Sequence, residues 1–188
     1  MGAFYVNYTL RGTTQAAVVS VIGGRSASVT APRNGCVVVF DQASDDQDLG
    51  AIAELASSMS RSLRCVVLAT VNHDDDILFY QLYETGELTD NYDSSPNYFD
   101  AAAEPSPPVG GDPRRLCEAF GAADIQAVNG VLSKSSYDED GYVFESERHT
   151  DLVDLLGIPN IVVGTTYADI QRGDLPTGWS LEDLVQVK

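Results

Sequence analysis

Lysine is nearly missing from this chain: only Lys134 and Lys188 occur among 188 residues. With the arginines they make eleven cations against 28 Asp and Glu, for a formal net charge of −17. Apart from the Arg114-Arg115 pair the cations stand singly, so no basic face is available to grip phosphates, which argues against a nucleic-acid partner. Long apolar runs are also lacking. None approaches the roughly 18 residues of a membrane span, no charged-then-apolar leader precedes the first strand, and Met1-Gly2 lacks the Ser or Thr that a myristoylation signal expects at the sixth position.

Cysteine and histidine are equally sparse. Cys36, Cys65 and Cys117 lie far apart without a CxxC pair or a His-bearing zinc spacing, as expected of small core thiols in a reduced cytosol. His73 and His149 are the only histidines, and no GxSxG, HExxH, GxGxxG or P-loop pattern occurs. These absences place the protein in the cytoplasm, away from membranes, and give it no recognisable catalytic signature.

What is present is a patterned chain, 44% apolar, with enough hydrophobic material to fold. Ala3 to Leu10 reads as a strand and Gln15 to Ile22 as a short helix stopped by Gly23-Gly24. Ser26 to Thr30 and Cys36 to Phe40 form a hairpin through Asn34-Gly35, whose residue types suit positive φ angles. Ser44 and Gln47 have capping-box spacing ahead of a helix carrying Leu49, Ile52, Leu55, Met59 and Leu63 on one stripe. Val66 to Asn72, Ile77 to Tyr83 and Leu88 to Tyr92 follow as a meander. This order predicts an α+β fold: a ferredoxin-like βαββαβ unit extended by two antiparallel strands, with a smaller, mainly helical C-terminal region packed on it. The expected organisation is a domain over residues 1–100, a Pro/Gly/Ala-rich linker or strap over 101–113, and a helical region over 114–188. In that last region Tyr142 to Phe144 and Ile161 to Val163 read as short strands.

Two clusters rise above the general acidity. His73-Asp74-Asp75-Asp76 sets three carboxylates beside an imidazole at a hairpin tip, a source of hard oxygen ligands for Mg²⁺ or Ca²⁺, although Asp also favours tight turns for local reasons. Asp41, with Asp45, Asp46 and Asp48, follows the strand Cys36 to Phe40. The two groups share a site only if their strands end at the same sheet edge, and in a βαββαβ order those ends need not coincide. The metal candidates are therefore His73, Asp74, Asp75, Asp76 and Asp41, and a divalent-metal-dependent hydrolase is the reading they support. No other cofactor is expected.

Aromatic residues give the other signal. Tyr83, Tyr92, Asp93, Tyr98 and Phe99 gather in the meander and the segment after it, a composition suited to a contact surface because a tyrosine ring buries area at low entropy cost. Together with the net charge they favour a non-catalytic module that docks a basic protein partner. A structural subunit pairing through the edge Leu88 to Tyr92 is a further alternative, and the oligomeric state is not legible. Val71 to Tyr83 (VNHDDDILFYQLY) and the run Asp93-Ser94-Ser95-Pro96-Asn97-Tyr98-Phe99, with Leu116 to Gly121 and Val163 to Leu175, resemble a family of uncharacterised bacterial cytosolic proteins. The resemblance implies no activity, cofactor or site residue.

Overall fold

The computed structural model describes residues 2–104 and 106–188, so Met1 and Pro105 of the expected strap lie outside the described residues. Over the described residues the chain forms one antiparallel sheet of eight strands with six α-helices. In chain order these are β1 (Tyr5–Arg11), α1 (Gln15–Val21), β2 (Ala27–Thr30), β3 (Cys36–Asp41), α2 (Leu49–Leu63), β4 (Val66–His73), β5 (Ile77–Glu84) and β6 (Glu87–Asp93). Then come β7 (Val109–Gly110), α3 (Pro113–Phe120), α4 (Ile125–Ser133), α5 (Glu145–Leu156), α6 (Tyr167–Arg172) and β8 (Leu184–Val187). The strand order across the sheet is β7-β6-β5-β4-β1-β3-β2-β8.

β1 occupies the middle of the sheet because it pairs on both sides, Tyr8 opposite Val39 of β3 and opposite Ala69 of β4. Its six residues Tyr5 to Leu10 are all buried. Since alternate side chains point to opposite faces, Val6, Tyr8 and Leu10 enter one core, while Tyr5, Asn7 and Thr9 enter the other. The first core holds Val37, Val39, Val67, Ala69 and Val71 beneath Val18 and Ile22 of α1 and its flank and Ile52, Ala56 and Met59 of α2. The second holds Val38, Phe40, Leu68, Tyr80, Leu82 and Tyr92 beneath Leu116, Phe120, Val128, Leu132, Leu152, Leu156 and Ile170 from α3 to α6. The C-terminal region thus supplies a whole layer of the molecule and, through β8 on β2, one edge of the sheet.

Turn chemistry fixes the register of three hairpins. Asn34-Gly35, Asp74-Asp75 and Thr85-Gly86 all have positive φ at both positions, the twist that suits tight connections between antiparallel strands. Asn-Gly does so at least steric cost, whereas Asp74 and Asp75 adopt the same angles with side chains present, which needs support from elsewhere.

Several elements depart from expectation. Gln42 to Asp46 is a 3₁₀ turn, not the start of the second helix, because Asp41 Oδ2 accepts from Ser44 N at 3.1 Å and Ser44 Oγ at 2.9 Å and tightens the chain there. Gln47 then turns left-handed, and Asp48 rather than Ser44 caps α2, accepting from Gly50 N and Ala51 N. Among the described residues Tyr142 to Phe144 finds no strand partner and leads into α5, and Ile161 lies in a 3₁₀ turn, Asn160–Val162. β7 and β8 are too short to show alternation in the sequence. No helix among the described residues is long and apolar enough to cross a membrane.

α5 buries three ionisable side chains, Glu145, Arg148 and His149. Arg148 is fully buried, pairs with Glu145 at 2.7 Å, and donates to the carbonyls of Val131 and Lys134, each at 2.7 Å. Beside it His149 is buried against Tyr5, with Nδ1 2.8 Å from the Tyr5 hydroxyl. Burial drives the His149 pKa down to about 3, so the folded state holds it neutral while the unfolded chain gains a proton below about pH 6.5. Its contribution is complete above that value and is lost as pH falls toward 3. Wild-type unfolding free energy, measured by denaturant titration, is therefore expected to drop between pH 7.5 and 4.5 by about 2 to 3 kcal/mol more than that of His149→Gln. Equal drops would disprove the assignment.

Candidate functional site

β3 and β4 both run antiparallel to β1 and so are parallel to each other, with their carboxyl ends at one edge of the sheet. Asp41 and His73 consequently do reach the same edge. They stand on either side of β1, about 10 Å apart at two strand spacings. Each already has a partner of its own. Asp41, 1% exposed, grips Arg25 through two bonds of 2.7 and 2.8 Å and also holds Ser44.

The turn carboxylates are committed in the same way. Asp74 Oδ1 accepts from the backbone of Gly2 at 2.9 Å, and Asp76 Oδ2 accepts from the Tyr98 hydroxyl at 3.0 Å. Asp75 joins three segments. Its carboxylate accepts from Ser146 N at 2.8 Å, Ser146 Oγ at 3.1 Å and Asn72 Nδ2 at 3.3 Å. Its backbone N–H reaches Ala3 O, and its own carbonyl accepts from Glu145 N. A carboxylate on the first turn of a helix satisfies orphan N–H groups and favours the dipole, so Asp75 works as a long-range cap for α5. Among the described residues no group of three or more His, Cys, Asp or Glu side chains is arranged to hold a metal ion.

Of the expected contact residues, Tyr83 and Tyr92 are 5% and 0% exposed and belong to the two cores. Tyr92 stacks on Tyr80 at 5.4 Å, and its hydroxyl donates to Leu132 O. Their strand positions, which place one ring on each face, explain why neither joins a surface. Asp93, Tyr98 and Phe99 do remain accessible. After Ser94, whose N–H and hydroxyl both bond to the backbone of Leu78, the segment following β6 folds back toward the β4–β5 turn. Tyr98 and Phe99 there meet the His73 ring edge-on, with centroids 6.1 and 5.3 Å away, and Phe4 meets it from the other side at 4.9 Å.

The rings of Phe4, His73 and Phe99 border a cleft of about 550 Å³ between the N-terminus of α2, the ends of β4 and β5, and the segment after β6. Val71, Ile77 and Phe79 line its sheet side, Leu49 and Gln47 the helix side, and Pro96 and Phe99 the side of that segment, with Asp45, Asp46 and Asp93 among its lining residues. Phe4, Leu49 and Phe99 are 44%, 49% and 78% exposed, an unusual amount of large apolar side chain around one opening. Among the described residues neither Asp46 nor Asp93 has an Arg or Lys partner.

Burial raises the carboxyl of Asp93 above the usual range, with the Ser95 N–H opposing it. Burial likewise pushes Asp45 up to about 6, against the pull of the Tyr167 and Ala168 N–H groups at the start of α6. Of the residues lining the cleft, Asp93 and Phe99 were among the contact residues expected from the sequence, while Phe4, Leu49 and Phe79 were not. Strand or helix periodicity assigned those residues to elements, and nothing local marked them as neighbours.

Compared with known proteins, the chain matches no family model, no curated protein and no solved structure. The reading of the site therefore rests on its own geometry. The division of labour among the turn acids is open to direct measurement. Asp75→Ala should cost about 2 to 3 kcal/mol of unfolding free energy through the lost cap and carboxylate bonds, and Asp76→Ala, exposed and singly bonded, within about 0.5 kcal/mol. Equal costs would remove Asp75 from its capping role.

Proposed function

We propose that this protein is a non-catalytic interaction module that docks a basic protein partner on the face formed by His73, Asp93, Tyr98 and Phe99, with Phe4 and Leu49 beside them. One observation carries the reading. An open, aromatic-walled cleft sits among carboxylates that lack internal cation partners, in a chain of net charge −17. Apolar area supplies affinity to such an interface, and unpaired rim charge supplies steering and selection. The partner side of the contact is basic and offers an apolar anchor.

We also infer a ferredoxin-like βαββαβ core, and the strand order β4-β1-β3-β2 with α1 and α2 on one face supports it. Three free, buried cysteines support a cytoplasmic location. No observation of similar weight favours the metal-dependent hydrolase, since its five candidate side chains are each engaged in bonds that stabilise turns, caps or ion pairs.

Immobilised wild-type protein is expected to retain a basic protein from host lysate at about 50 mM salt and release it near 500 mM, as screening shortens the reach of the charges. The double variant Asp93→Asn, Phe99→Ser should retain none of it, with its thermal unfolding unchanged because both residues are at least partly exposed. Retention that is indifferent to both salt and the double variant would refute the docking face.

A further inference from the structure

Surrounding bonds fix the hydrogen-bonding role of His73. The backbone oxygen of Asn72 only accepts, so the Gln47 group that reaches it at 2.7 Å is the Nε2 donor. Gln47 Oε1, an acceptor, then lies 2.6 Å from Nδ1 of His73, and Nδ1 must carry the proton. In the neutral ring Nε2 is left as a bare acceptor, and among the described residues it has no hydrogen-bond partner. The ring itself lines the cleft.

The other ionisable groups of the cleft are acceptors as well. Asp93 spends Oδ1 on Ser95 N and keeps Oδ2, and Asp46 is exposed without a cation. One of the two N–H donors of Gln47 is taken by Asn72 O. Walls of Phe4, Phe79 and Phe99 complete the space. The acceptors His73 Nε2, Asp93 Oδ2 and Asp46 beside the aromatic walls suit a ligand that brings N–H donors, positive charge and an apolar body together. The cleft volume falls within the range of about 300 to 1,000 Å³ that holds ligands of that size.

We propose that the cleft recognises an arginine set next to an aromatic or large aliphatic residue in the partner. A guanidinium N–H donates to His73 Nε2, the carboxylates of Asp93 and Asp46 balance the charge, and the apolar neighbour fills the space between Phe4, Phe79 and Phe99. Arginine fits better than lysine because its planar group stacks on aromatic rings and sheds water at lower cost. The inference rests on the docking reading above and names the element of the partner that the face selects.

Three dipeptides test it on the intact protein by NMR titration: N-acetyl-Phe-Arg-amide, its neutral isostere N-acetyl-Phe-citrulline-amide, and N-acetyl-Ala-Arg-amide. The first should bind about tenfold more tightly than either of the others, with shifts at Gln47, His73 and Asp93. His73→Phe keeps the ring packing and removes the acceptor, and it should weaken the Phe-Arg peptide about fivefold or more, as should Asp93→Asn. Equal affinity for the citrulline peptide, measured on wild type alone, would overturn the requirement for a cation. Absence of binding by all three near 5 mM, with a basic partner still retained by the wild type, would overturn this inference and leave the docking reading standing. Binding of the Phe-Arg peptide without any retained partner would uphold the chemistry of the cleft and sink the docking reading.

Discussion

A sheet buried on both faces is the constraint from which the rest of this architecture follows. β1, β3 and most of β4 have no solvent-facing side, and an apolar sheet face left in water costs roughly 25 cal/mol per Å². One helical layer from the first half of the chain covers one face. The other face must be covered by α3 to α6, so the C-terminal region is a structural requirement of the sheet. Alternation along β1 sends Val6, Tyr8 and Leu10 to one core and Tyr5, Asn7 and Thr9 to the other. The second core therefore receives polar groups that need partners: the Tyr5 hydroxyl meets His149, and the Asn7 amide meets Val162 O.

Much of the conspicuous acidity is explained by the same architecture. Asp48, Asp112, Asp124 and Asp169 cap helices of their own segments, and Asp75 caps α5 across 71 positions of sequence. Asp41 neutralises Arg25 and shapes the turn after β3. A chain so short of lysine uses carboxylates as its principal capping and bridging groups. Asp46 and Asp93, beside the aromatic cleft, have no Arg or Lys partner among the described residues.

The cleft exists because three unrelated local decisions coincide. The left-handed Gln47 ends the 3₁₀ turn and starts α2 late, which opens space at the helix N-terminus. Asp74 and Asp75 turn β4 tightly into β5, held by the N-terminal segment and α5, so Phe4 arrives beside His73. Tyr98 reaches Asp76 and holds the segment after β6 against the same end of the sheet.

The sequence by itself determined the α+β class and most elements of the first half of the chain. Strand-type runs marked β1 to β6, the 3.6 stripe marked α2, and Asn34-Gly35 marked one hairpin, all through interactions within a few residues. It also marked Asp93, Tyr98 and Phe99, since they are neighbours in the chain. Tertiary structure alone decided that Tyr83 and Tyr92 are core, that β8 closes the far edge, and that the acids of the His73 turn are spent on Gly2, Ser146 and Tyr98. It also placed Phe4, Leu49 and Phe79 around one opening. Those outcomes depend on contacts between residues tens to more than a hundred positions apart, set by sheet register and layer packing, for which no local pattern carries a signal.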